Sequence, residues 1–384
     1  MTGLALARKG MGSMRIKGVM QLSGSQLIWS LLVIDGCNII PFVKTAIVEA
    51  KQDAWISIAI AGVVVILLTL ALVRLSLMHP GQTLTSFSQK VLGPWFGRLI
   101  ILPYFVAWFS IPVLILRYSG DFIQTVLLDR SPVWVVMLIL SILMLYCVHG
   151  GIGGIGRYNE VVGPLFFTTT MISYVLNTRN LKWERIMPVF YDTGWQTILK
   201  GMVPLTTLFG GESLLLLVLV AFMKDAKRAP VLSIFALGAT TLTFVIVALL
   251  SLLVFGPTLA AKMQDPFFSY LRTVDIMEFI QQIDTFMFSL WMFGVTSMLA
   301  MHVFVISYEA SLWLNMKNWY RLIWIVGPAI FITALINPSA IQFESFYVWW
   351  SYYMFPLCGI FIPIVLLTAT LISRVRSRTG SQNT

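Results

Sequence analysis

Ten apolar stretches, each long enough to cross a bilayer as a helix, run through the chain at approximately 24–48, 54–78, 98–127, 132–150, 156–177, 198–222, 229–255, 279–308, 320–338 and 348–372. A helix needs about 20 apolar residues to cover the hydrocarbon core. In lipid every backbone N–H and C=O must be paired within protein, so the expected fold is an all-α integral membrane bundle. It forms one membrane domain over residues 21–373, with tails at 1–20 and 374–384. Composition agrees: of 384 residues, 58% are hydrophobic and only 11% charged, with a mean hydropathy of +0.86. Soluble domains carry about 25% charged residues. Most soluble enzymes, nucleic-acid binders and secreted disulfide scaffolds are excluded.

The 26 Lys and Arg outnumber the 16 Asp and Glu, giving a net charge of +10. In a membrane protein such an excess gathers in cytoplasmic loops facing anionic lipid. With the N-terminus inside, the inner segments hold sixteen of the 26 basic residues, and Asp53, Asp121, Asp129, Glu184, Asp192, Asp265, Asp275 and Glu344 fall outside. Both termini are therefore expected in the cytoplasm, with no nucleic-acid partner. No cleavable leader is expected in residues 1–20, and Met14 is an alternative start. Between spans 2 and 3, Leu84, Phe87, Val91 and Leu92 recur at near-helical spacing, marking an amphipathic segment.

The chain shows no Walker loop, zinc pair or serine elbow, so neither enzymatic activity nor a cofactor is expected. Cys37, Cys147, Cys358, His79, His149 and His302 lack ligand spacing, and no disulfide or metal site is expected. The glycine run from Gly150 to Gly156 joins two apolar segments; it is read as a turn and not as a phosphate cradle.

Two spans in corresponding positions are interrupted. The first passes through Asp35-Gly36-Cys37-Asn38-Ile39-Ile40-Pro41, and the sixth through Gly210-Gly211-Glu212-Ser213. Interrupted helices at matching places in two halves are the best sequence pointer to a transporter's binding site. Pro41 suits the first turn of a restarting helix. The amides around Gly36–Ile40 would then offer a half-helix N-terminus to a carboxylate. A glycine pair equally permits close helix packing. Ionisable groups at this depth are costly and functional by default. Glu212 is a candidate for an ammonium, a proton or a helix cap. Asp35 is a coupling or structural charge, for which Lys44 or Arg117 would be the neutralising partner. Asp284 and Glu309 read as charges near the two ends of span 8.

Several local patterns make the chain similar to the endospore germination permeases, the B-type subunits of nutrient germinant receptors. They are Asp53-Ala54-Trp55-Ile56-Ser57, Pro80-Gly81-Gln82-Thr83-Leu84, Leu92-Gly93-Pro94-Trp95-Phe96-Gly97 and Gly154-Ile155-Gly156-Arg157-Tyr158-Asn159-Glu160. Gln26, Pro41, Met187-Pro188-Val189-Phe190, Gly210-Gly211-Glu212, Asp284 and Trp291 add to them, so that the likeness runs from about residue 15 to 373. The resemblance implies the amino acid–polyamine–organocation superfamily, with two inverted five-helix repeats and broken first and sixth helices. It further implies a nutrient sensor in the spore inner membrane, partnered by an A-type membrane subunit and a C-type lipoprotein. The family pocket maps onto Gly36, Asn38, Pro41, Gly210, Gly211 and Glu212. Asp35, Cys37 and Asn38 make the first break more polar than is usual in the family, and a zwitterionic amino acid is the default ligand, held between spans 1, 3, 6 and 8. The alternatives are a proton- or sodium-coupled amino-acid transporter and a structural subunit with a vestigial pocket.

Overall fold

The computed structural model describes residues 21–128, 130–176, 181–190, 194–273, 283–336 and 348–382. The tail at 1–20 and the side chain of Asp284 lie outside them. Within the described residues, all ten expected segments are mainly helical. Span 1 is two half-helices, α1 (Gly24–Gly36) and α2 (Ile39–Ala50). Span 2 is α3 (Ala54–Leu77), followed by the short α4 (Leu84–Leu92) and α5 (Pro94–Leu99). Spans 3, 4 and 5 are α6 (Leu102–Val126), α7 (Val133–His149) and α8 (Gly151–Leu176). Span 6 comprises α9 (Gly194–Ser213) and α10 (Leu216–Leu219). Span 7 is α11 (Ala229–Phe255), with α12 (Pro257–Lys262) and α13 (Pro266–Arg272) after it. Spans 8 and 9 are α14 (Ile283–Trp313) and α15 (Tyr320–Ile336). Span 10 begins with π-helical winding over Trp350–Met354 and Pro356–Phe361 and continues as α16 (Ile362–Gln382), through the boundary expected for the tail. Span 1 begins on the near face of the bundle and ends on the far face.

The glycine run resolves differently from the expectation of a turn. Only the junction turns, with Gly151 at φ 61°, where α7 and α8 bend by 115°. The rest is the first turn and a half of α8. A Cβ on Gly156 would stand 2.8 Å from Leu22, so that glycine makes room for the entry of span 1. The amphipathic segment is helical as read, with Leu84 and Phe87 buried and a break at Gly93, φ 87°.

Local chemistry fixes both faces. On the near face Ser23 and Gln26 form a capping box that starts α1, satisfying amides that a helix N-terminus leaves open. Leu22 donates to the Phe222 carbonyl at 2.8 Å and accepts from Lys224 N–H at 3.0 Å, tying the entry of span 1 to the exit of span 6. Glu309, buried at the near end of span 8, accepts the Thr85 N–H at 2.8 Å and so caps α4 from another helix.

On the far face two sequence motifs meet. Asp53 accepts the Phe190 N–H at 2.9 Å, and Gln52 donates to the Pro188 carbonyl at 3.3 Å. The Asp53-Ala54-Trp55 and Met187-Pro188-Val189-Phe190 patterns are thus the two sides of one contact. Asp53→Ala is expected to release the 181–190 segment locally, raising its proteolytic cleavage rate while the thermal midpoint of the bundle changes little. Limited proteolysis beside thermal unfolding checks this; an unchanged cleavage pattern would count against the tie.

Candidate functional site

The first break is tight. Cys37 and Asn38 leave the helix yet keep right-handed backbone angles, and Asn38 N–H turns to the Asp35 carbonyl at 3.0 Å. The first amide to bond back into α2 is that of Phe42, to the Asn38 carbonyl at 3.2 Å. Pro41, which has no N–H to place, is the third residue of α2. Span 8 holds this turn: Trp291 Nε1 donates to the Cys37 carbonyl at 2.8 Å.

In span 6 the interruption falls beyond the residues that suggested it. Gly210, Gly211 and Glu212 lie inside α9, and regular winding lapses at Leu214 and Leu215. Their amides bond three residues back, to Gly211 at 3.2 Å and Glu212 at 3.1 Å. The glycine pair serves packing. A Cβ on Gly210 would lie 2.3 Å from the Phe355 ring, and one on Gly211 2.6 Å from Trp350. Gly36 likewise faces Phe166, at 2.8 Å from its would-be Cβ.

Between the two breaks lies a cavity of about 30 Å³, room for one or two waters. Span 1 contributes Asn38 and Phe42, span 3 Ile111, Leu114 and Ile115, span 6 Thr207, Leu208 and Glu212, and span 10 Trp350. Span 10 thus takes the place expected for span 8 in the lining. Of the six residues mapped as a pocket, Asn38 and Glu212 border this cavity. The three glycines back onto aromatic rings.

Glu212 is 1% exposed and neither carboxylate oxygen has a hydrogen-bond partner. The Asn38 amide lies close by, but its N–H goes to the Ile34 carbonyl at 3.3 Å and its own oxygen is unpartnered. Asp35, also 1% exposed, has both oxygens unpartnered. The cations expected to neutralise it are engaged elsewhere. Arg117 pairs with Asp121 at 2.9 Å on its own helix. Lys44 lies by Asp265, whose carboxyl burial pushes up to about 6 while the Tyr118 hydroxyl, donating at 2.5 Å, and Lys44 oppose that rise. Nine residues and a helix break separate Asp35 from Lys44, which sends the two to different depths and faces.

The residue that sequence reasoning missed is His302. Fully buried on span 8, it places Nε2 3.5 Å from Glu212 Oε2, while Nδ1 bonds the Met298 carbonyl at 3.0 Å. Its signal was an ionisable side chain in the middle of an apolar span, a test that ligand spacing does not apply.

A second polar cluster joins spans 1, 5 and 8. Asn159 donates to Ser30 Oγ at 3.0 Å and accepts from Ser297 Oγ at 2.5 Å. Its neighbours in the Gly154–Glu160 pattern do similar work. Tyr158 donates to the Phe293 carbonyl at 3.0 Å, and Glu160 accepts from Gln26 at 3.1 Å.

The model of the spore germination protein family, Spore_permease, matches residues 22–342. The chain belongs to that family. Relatives include spore germination protein YndE of Bacillus subtilis (strain 168), 24% identical over 267 residues, which are 68% of this chain and 70% of YndE. Spore germination protein GerQB of Bacillus cereus is 23% identical over 367 residues, covering 93% and 98% of the two chains. Among solved structures, MhsT in complex with L-phenylalanine matches with a TM-score of 0.63 at 14% identity, covering 89% of each chain. The nucleobase-cation-symport-1 family transporter Mhp1, closed with bromovinylhydantoin bound, matches with the same TM-score at 12% identity over 89% and 77%. These likenesses carry the fold: this member of the spore germination family is a multi-pass membrane protein of two inverted five-helix repeats with broken first and sixth helices.

Proposed function

We propose that this chain senses a small nutrient, an amino acid by default, as the permease-like subunit of a germinant receptor in the spore inner membrane, both termini cytoplasmic. One observation carries the reading: a buried carboxylate, Glu212, without a hydrogen bond borders a cavity whose other walls are almost wholly apolar, next to the break in span 1. Buried polar groups are normally satisfied, and a ligand ammonium would satisfy this one. The ligand carboxylate would turn to the N-terminus of α2, and its side chain would lie against Phe42, Ile111 and Trp350. That the MhsT structure holds L-phenylalanine in the same fold supports an amino acid.

The cavity is too small for an amino acid, so binding has to displace Trp350 or Phe355. A ligand shifts a conformational equilibrium only by its difference in affinity between the states; here the displaced span 10 is the element that an A-type subunit and a C-type lipoprotein would read. Thermal-shift and calorimetric titration of the full chain in nanodiscs, with the twenty protein amino acids one at a time, tests this. Glu212→Gln is expected to weaken the binding found by about 10- to 150-fold, the worth of one charge-assisted hydrogen bond. An unchanged Kd removes Glu212 from the site.

A second reading, a coupled transporter, is favoured by the approach of His302 to Glu212, which suits proton exchange. Flux of the same amino acid into proteoliposomes holding this chain alone would establish it, and binding without flux would support the sensor.

A further inference from the structure

We propose that Glu212 and His302 hold a single shared proton, which the ammonium of an arriving ligand displaces. The displacement half rests on the reading of the cavity as an amine-binding site; the shared proton does not. The geometry begins with the imidazole. Its Nδ1 faces the Met298 carbonyl at 3.0 Å, an acceptor, so the ring's own hydrogen sits on Nδ1 and Nε2 presents a lone pair. Nε2 lies 3.5 Å from Glu212 Oε2 and has no hydrogen bond of its own, and the Asn38 side chain is the other polar group beside the carboxyl. Two acceptors at that separation repel unless a proton lies between them. Supplied as the carboxyl O–H, the proton donates to Nε2 and closes the gap.

Among the described residues, the surroundings offer no substitute charge. From span 1, Asp35 and Cys37 are the titratable groups within electrostatic reach of Glu212, and neither is a cation. Span 2 has no charged residue between Ala54 and Val73. On span 3, Arg117 pairs with Asp121, Tyr104 bonds the Cys358 carbonyl and Tyr118 bonds Asp265. Span 5 commits Tyr158 to Phe293 and Glu160 to Gln26. Cys358 on span 10 is a buried thiol, and Glu309, two turns along span 8 from His302, is occupied with Thr85. A proton is therefore the positive charge that this pair has. On binding, the ammonium takes the carboxylate, the O–H bond of Glu212 breaks, and that proton leaves the site; His302 remains neutral, with its Nδ1 hydrogen on Met298. One cation enters as one leaves.

Two measurements on the full chain in nanodiscs test the two halves separately. Infrared difference spectra of the ligand-free protein are expected to show a protonated-carboxyl stretch that Glu212→Gln removes and that both His302→Gln and His302→Asn shift. A stretch unaltered by all three variants overturns the shared proton, whatever the protein binds. Calorimetry of an amino acid in two buffers of different ionisation enthalpy is expected to report one proton released per ligand, with affinity rising about tenfold per pH unit. Glu212→Gln should then bind weakly with no proton release and a flat pH profile. Binding to the unmodified chain with no proton released, at unchanged affinity across pH, overturns the displacement while leaving the amino-acid site standing. If no amino acid binds while the infrared stretch behaves as expected, the amine site is wrong and the shared proton stands.

Discussion

Valine at Gly210 is expected to cost about 1–3 kcal/mol of stability, the usual penalty for overpacking a filled core, and to weaken ligand binding at least tenfold. The Phe355 ring stands 2.3 Å from the position a Cβ would take, so the ring has to move. It has little room, because Gly359, one turn further along span 10, would place its own Cβ 2.9 Å from the same ring. Phe355 stacks on Trp350 at a centroid distance of 6.1 Å, and Trp350 is anchored by its Nε1 donating to Ser110 Oγ at 3.0 Å. A displaced ring therefore presses on the wall of the cavity. Phe355→Ala, which removes the ring, is expected to restore at least half of the lost stability in the Gly210→Val background while destabilising the unmodified chain. Such a double-mutant cycle isolates the contact. Full stability in Gly210→Val alone would mean that the ring swings freely, and that the glycine pair serves backbone approach to a ligand instead of helix packing.

The spans were legible because bilayer thickness converts directly into run length, and the break in span 1 because Asp35, Gly36, Asn38 and Pro41 all mark it. The lapse in span 6 was not, for a physical reason. It falls on Leu214 and Leu215, residues with high helix propensity, while the adjacent glycines stay helical because aromatic rings fill the space their missing side chains leave. The Gly210–Phe355 and Gly211–Trp350 pairings join residues about 140 positions apart, and no local pattern announces them. Charge alone offers Asp35 a cation, yet the face on which Lys44 lies depends on a break whose geometry the sequence leaves open, and Arg117 has Asp121 one turn along its own helix. Ligand spacing says nothing of His302, an ionisable side chain within an apolar span. Its meaning lies in Glu212, ninety residues away on another helix. The motifs behind the family resemblance were visible as words, and the structure supplies their grammar: Asp53 with Phe190, Glu160 with Gln26, Asn159 between two serines.

Asn159→Ala is expected to lower stability by about 1–3 kcal/mol. The figure follows from two interhelical hydrogen bonds, each worth about 0.6 kcal/mol on average and up to about 1.7 in a membrane protein, plus the lost packing of a fully buried side chain. Span 5 loses its polar link to spans 1 and 8 at once, since the Asn159 amide donates to Ser30 and its oxygen accepts from Ser297. Ser297→Ala removes only one of these bonds and should cost less. The informative variant is the double substitution. With Asn159 gone the Ser297 hydroxyl has lost its partner, so Asn159→Ala with Ser297→Ala should be scarcely less stable than Asn159→Ala alone. Chemical denaturation of the detergent-solubilised or bicelle-reconstituted chain measures all three. Losses that simply add would mean that the Ser297 hydroxyl is satisfied within its own helix, as Thr296 is by the Met292 carbonyl at 3.0 Å. In that case spans 5 and 8 would be held together by apolar packing, and the three-helix polar junction would contribute only through Ser30.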